Sequence, residues 1–133
     1  MLARAQEPIS EGRRRKVLSP VSLQARRLQR QFSRAGLTAQ KATLRTGTVS
    51  YWSGGKGTPL MLIAGFGGSA LWQWHPQIRA LKRRHRLIIP DLLFFGESHS
   101  RRTDPSLLSQ AQVMRELLDH LQVDRAHILG LSY

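Results

Sequence analysis

Ala126-His127-Ile128-Leu129-Gly130-Leu131-Ser132-Tyr133 stands at the end of the 133-residue sequence, and its reading decides how the rest is understood. An apolar run of strand length breaks at Gly130, and a serine follows two residues later. At the carboxyl end of a buried parallel strand, such a serine sits on a sharp turn with its Oγ raised above the sheet. The next backbone N–H, that of Tyr133, then faces any negative oxygen forming beside the serine. The full pattern is Gly-x-Ser-x-Gly, of which Gly130-Leu131-Ser132 supplies three positions. A polar residue in a loop or helix cap is the alternative reading, so upstream sequence must decide.

Working back from that stretch, two more short apolar runs stand out. Leu60-Met61-Leu62-Ile63-Ala64 and Arg86-Leu87-Ile88-Ile89-Pro90 suit strands buried on both faces. Between them, Trp74, Ile78 and Leu81 fall at helical spacing, predicting a helix over 71–84 with Lys82-Arg83-Arg84 at its C-terminal end. Asp104-Pro105-Ser106 predicts a cap with proline at the first helical position. The helix it opens would bury Leu107, Met114, Leu117, Leu118 and Leu121. Ahead of these lies a predicted hairpin, residues 43–46 and 48–52 about Gly47. The order from residue 60 is strand, helix, strand, helix, strand, the rhythm of an α/β fold with right-handed crossovers.

Ligands of such folds gather beyond the carboxyl ends of the strands. Three unusual segments meet there: Gly65-Phe66, Asp91 and Gly130-Ser132. Ser132 is the candidate nucleophile. The backbone N–H groups of Phe66 and Tyr133 are the candidate oxyanion donors, and Gly67 keeps the first loop thin. Trp72, Phe94 and Phe95 are candidate walls of an apolar pocket. Asp91 is read as a loop anchor, since a carboxylate at a strand end can accept from the turn that follows.

A rival reading uses the same first loop. Gly65-Phe66-Gly67-Gly68-Ser69-Ala70 satisfies Gly-x-Gly-x-x-Gly/Ala, and Asp91 could serve as a ribose-binding acid. Against a dinucleotide site, Asp91 lies 26 residues past Gly65, Pro76 disturbs the following helix, and Ser132 is left unexplained. The histidines at 75, 85, 99, 120 and 127 have no zinc-site spacing, and the absence of cysteine removes thiol chemistry. No metal site is expected.

The formal net charge is +13, which raises nucleic-acid binding as a non-enzymatic alternative. The charge is uneven. Residues 1–46 carry eleven Lys/Arg and two acids, whereas the other 87 residues carry ten and six. Residues 1–20 read as a disordered basic leader. Residues 21–40 read as a basic amphipathic helix and linker, with Val21, Ala25, Leu28 and Phe32 on one face. That helix suits either packing on the domain or peripheral contact with an anionic membrane through residues 21–35. Specific nucleic-acid recognition is not expected. No apolar stretch long enough for a secretory signal or membrane span is present, which favours a cytoplasmic protein, with or without peripheral membrane contact.

Taken together, these segments resemble the N-terminal portion of an α/β-hydrolase-fold protein of the serine-nucleophile branch, over residues 41–133. Leu62-Ile63-Ala64-Gly65-Phe66-Gly67-Gly68 resembles the family's oxyanion strand and loop, with Ala64 where histidine is usual. Pro90-Asp91-Leu92-Leu93-Phe94-Phe95-Gly96-Glu97-Ser98 resembles its Asp-Leu-Pro-Gly-x-Gly-x-Ser segment. There Leu93 and Phe94 replace the usual proline and first glycine. Ile128 to Tyr133 resembles the nucleophile elbow. The resemblance implies a partial α/β-hydrolase fold cut at that elbow, no cofactor, and an acyl ester or related small molecule as substrate. It gives Ser132 the nucleophile's role, Phe66 and Tyr133 the oxyanion hole, and Asp91, Gly96 and Ser98 the anchoring of a loop. It also implies that the acid and histidine of the triad follow the serine, so that residues 1–133 alone would be inactive.

Overall fold

The structure, a computed structural model, describes residues 19–132. The expectation for the leader falls almost wholly outside those residues, as does the role expected of Tyr133.

Helix α1 (Pro20–Arg34) leads into strands β1 (Leu37–Thr43), β2 (Gly47–Gly54) and β3 (Thr58–Ile63). Two short helices, α2 (Ala70–Trp74) and α3 (Ile78–Leu81), precede β4 (His85–Pro90) and the two-residue β5 (His99–Ser100). Helix α4 (Leu107–His120) and β6 (His127–Gly130) complete the order. The main sheet runs β1-β2-β4-β3-β6, with β5 paired to β2. The β1–β2 hairpin and the β2–β4 pair are antiparallel, whereas β3 pairs in parallel with both β4 and β6. The three apolar runs are therefore neighbouring parallel strands, with β3 central among them.

Alternate side chains of β3 and β4 feed two cores. Leu60, Leu62, Leu87 and Ile89 meet Phe32 of α1 and Ala70, Trp74 and Ile78 of α2 and α3. On the other face, Met61 and Ile88 meet Val113, Met114 and Leu117 of α4. Helices cover both faces of β3 and β4, which is why these two read as continuous apolar runs rather than as alternation. Strand β6, expected to be buried, is instead the edge strand of the sheet, with His127 to Gly130 all exposed.

Helix α1 is part of the first core. Ser19 caps it, accepting from the Ser22 N–H at 3.2 Å, and Pro20 fills the first helical position. Residues 19 and 20 thus belong to the helix and not to the leader. Leu28 and Phe32 are buried, Phe32 stands edge-on to Trp52 at 5.4 Å, and Gln31 Nε2 donates to the His75 carbonyl at 2.9 Å. Burying each of the two apolar side chains is worth about 1.5–3 kcal/mol. The segment after α1 is not a linker, since β1 begins at Leu37.

Two helices differ from expectation. The helix expected over 71–84 is split, because Pro76 has no N–H to continue the ladder and its ring crowds the preceding turn. At α4 the cap is Ser106, not Asp104: Ser106 Oγ accepts from the Ser109 N–H, while Asp104 accepts from the Ser106 N–H and hydroxyl. Leu107 is then in the opening turn and 62% exposed. Among the described residues, no helix is long and apolar enough to cross a membrane.

Candidate active site

Ser132 lies two residues past the end of β6, beyond a strand held in register by Leu62↔Leu129 and Ile63↔Gly130. The Leu131 N–H donates to the Ile63 carbonyl at 3.1 Å, extending the pairing to the residue before the serine. Ser132 itself turns to φ 56°. For a residue with a β-carbon, that left-handed conformation costs roughly 1–2 kcal/mol and marks strain held by surrounding structure. The sharp turn read from Gly130-Leu131-Ser132 is present, but its glycine has a different role from the one expected. A β-carbon on Gly130 meets nothing within 4 Å among the described residues. Crowding appears instead at Gly65, where a β-carbon would lie 2.5 Å from the Leu131 carbonyl oxygen and 3.0 Å from Ser132 Cβ. The first loop and the serine are packed against one another at the shared rim of β3 and β6.

A side chain that sequence reasoning missed holds that loop. The Gly65 N–H donates to Gln73 Oε1 at 2.7 Å, and Gln73 Nε2 donates back to the Gly65 carbonyl at 3.2 Å. One carboxamide thereby satisfies both backbone groups of the residue before Phe66. Gly67 takes φ 93° in open space, so its glycine serves conformation rather than clearance. The Phe66 ring meets Phe95 edge-on at 4.6 Å, which ties the first loop to the loop after β4.

That second loop is built around Asp91. Its Oδ1 accepts from the Ala70 N–H at 2.7 Å and its Oδ2 from the Glu97 N–H at 3.2 Å. Gly96 takes φ 56° directly under the carboxylate, where a β-carbon would fall 2.2 Å from Oδ2. Buried Ser98 donates to the Asp91 carbonyl and accepts from the Ser50 N–H, both at 2.9 Å. Burial pushes the Asp91 carboxyl above its ordinary pKa, the two amide hydrogen bonds pull it back, and the charge of Glu97 adds to the rise. Both carboxylate oxygens are engaged by backbone amides, and α2 is only five residues long. The dinucleotide reading loses its ribose acid and its helix N-terminus together.

A second glutamine, also missed, repeats the device. Buried Gln110 of α4 accepts from the Leu93 N–H at 3.1 Å and donates to the Leu93 carbonyl at 3.0 Å. The following residue, Phe94, takes φ 73° with its ring 44% exposed. The expected pocket divides. Trp72 lines a cavity of about 280 Å3 with Trp52, Ser69, Asp91, Gly96 and Glu97, and neither Phe94, Phe95 nor Ser132 is among its walls. Among the described residues no three His, Asp or Glu side chains gather as a metal site. His85 and His127 face each other across β3 with ring centroids 6.3 Å apart, at the strand starts, away from the serine rim.

A strained serine just past a parallel strand, beside a glycine loop and near an Asp-anchored loop, points to a class. The sequence profile of the alpha/beta hydrolase fold matches residues 58–133, and the chain belongs to that family. It is 41% identical over 76 residues to a proposed carbamate hydrolase, RutD, of Azorhizobium caulinodans, covering 57% of this chain and 28% of that one. A proposed lipase of Acinetobacter baumannii superposes with TM-score 0.71 at 30% identity, covering 78% of this chain and 36% of that one. A bacterial membrane phospholipase A superposes with TM-score 0.73 at 27% identity, covering 86% and 37%. The chain thus spans about a quarter to somewhat over a third of the length of these relatives.

Proposed function

We propose that Ser132 is the nucleophile of a hydrolase acting on a carboxylic ester or related acyl compound. The observation that carries this is the Ser132 backbone, held at φ 56° past a parallel strand and packed against Gly65. In the proposed reaction Ser132 Oγ attacks the carbonyl carbon as a base takes its proton. The Phe66 and Tyr133 N–H groups receive the oxyanion, the leaving group departs with a proton, and water then releases the acyl group from the serine. Gln73 and Asp91 do not touch substrate on this reading; they position the loops that do.

All five histidines precede Ser132. On this reading the acid and base belong to sequence outside the stretch shared with the relatives. The 133-residue chain alone should neither turn over esters nor react with a fluorophosphonate probe, because a serine hydroxyl is a poor nucleophile without a base. The deciding experiment uses the protein extended to the length of its relatives. It should hydrolyse small acyl esters and label with the probe, and Ser132→Ala should abolish both. Labelling that persists unchanged in the variant places the nucleophile elsewhere.

A further inference from the structure

We infer that the outward face of α1 docks on an anionic phospholipid bilayer. Arg26, Arg30 and Arg34 would take headgroup phosphates, with Leu23 at the acyl boundary.

Three observations converge. First, packing fixes which way the helix faces. Leu28 and Phe32 are buried, so the opposite arc, Leu23, Arg26, Arg27, Arg30 and Arg34, is presented outward at helical spacing. Second, among the described residues no acid pairs with these arginines. Residues 20–34 contain no acid, and among the described residues the ion pairs are Lys41–Glu97 and Arg45–Glu116, neither on α1. Arg26, Arg30 and Arg34, spaced four apart, line a shallow hollow of about 280 Å3 together with Gln29 and Ser33. Guanidinium forks flanked by amide and hydroxyl donors suit the oxygens of a phosphate ester. The Lys82 ammonium donates to the Ala35 carbonyl just past the C-terminal end of α1, adding one more cation there.

Third, the outward arc carries an aliphatic side chain beside those arginines. Leu23 stands on it and is 45% exposed. That arc carries no aromatic ring on which a base could stack, whereas a basic arc with a protruding leucine suits the headgroup–acyl boundary, which favours a bilayer over an RNA.

The test is vesicle flotation of the 133-residue chain, using phosphatidylcholine alone and phosphatidylcholine with phosphatidylglycerol. Binding should require phosphatidylglycerol and weaken with salt. The triple change Arg26→Gln, Arg30→Gln and Arg34→Gln should weaken it on the order of 100-fold, since each cation near an anionic surface contributes about fivefold. These side chains are exposed, so circular dichroism should show the fold retained. Leu23→Ser should reduce the binding that survives at high salt. Neutralising Arg13, Arg14, Arg15 and Lys16 instead should leave most binding intact. Equal loss in that variant would assign the charge effect to the leader and overturn the inference. Equal flotation with phosphatidylcholine alone would overturn it as well. So would tighter, arginine-dependent binding to polyuridylate, or saturable binding of inorganic phosphate that blocks flotation. The esterase assay of Ser132 is independent of every one of these outcomes.

Discussion

Gly65 and Ser132 occupy abutting space, and a β-carbon on the glycine would stand 3.0 Å from the serine's own. The same added carbon would lie 2.5 Å from the Leu131 carbonyl oxygen. Gly65→Ala therefore forces the loop and the serine apart. It should cost about 1–3 kcal/mol of stability, measured by denaturant unfolding. In the extended protein it should also slow fluorophosphonate labelling of Ser132. An unchanged labelling rate would show that the two segments can separate without consequence.

Gln73→Leu preserves much of the side chain's volume but removes both partners of the Gly65 backbone. Leaving part-buried backbone groups unsatisfied should lower stability by about 1–3 kcal/mol. A loop that positions an oxyanion donor should show its loss in kcat more than in KM. Steady-state kinetics of the extended protein on a small ester measure the split. A pure rise in KM would assign Gln73 to substrate binding.

Phe94 holds φ 73° where the family's usual residue is glycine. Phe94→Gly removes a left-handed strain of roughly 1–2 kcal/mol and gives up a ring that is already 44% exposed. The midpoint of thermal unfolding should hold steady or rise. A fall comparable to loss of a core aromatic, about 3–5 kcal/mol, would show that the ring is a packing element.

Asp91 gives a pH signature. Its carboxyl is raised in the folded protein, chiefly by burial, so the folded state holds that proton more tightly than the unfolded chain does. Its contribution to stability is full below the unfolded pKa and is lost as pH rises through the folded value. Asp91→Asn abolishes the titration. The stability of wild type relative to this variant should increase as pH falls from neutral through the carboxylate range. Urea midpoints of both proteins across that range test the sign; an opposite slope would mean that the amide hydrogen bonds outweigh burial.

What sequence made legible follows from burial. Strands β3 and β4 are buried on both faces, so nothing polar interrupts them and each reads as an apolar run. The first hairpin strand, expected over 43–46, is instead β1 at Leu37–Thr43, with 44–46 as the turn; only Leu37 and Ala42 of its seven residues are buried, which leaves no alternation to see. The position of Ser132 could be read from strand order, and Asp91 from its place at a strand end. The glutamine clamps could not, because pairing an amide with a single backbone residue depends on loop geometry that no spacing encodes. The first stripe residues of α1 and α4, Val21 and Leu107, were expected inside for their periodicity. Both lie in opening turns, ahead of the segments that pack.

Strands β2 and β3 are joined by residues 55–57 alone, yet β4 lies between them. The turn must bridge two strand spacings, roughly 10 Å. Gly55 and Gly57 hug the incoming chain, where β-carbons would come within 2.5 Å of the His85 and Arg84 carbonyl oxygens. The chain thus lays down β1, β2 and β3 before the strand that fits between two of them. Until residues 85–90 pair, β2 and β3 each keep an unpaired edge. Such edges recruit other chains, and a pairing that waits for distant sequence folds slowly. Insertion of β4 thus removes two exposed edges at once. It also seats the Asp91 loop, so the sheet and its functional rim mature in one step.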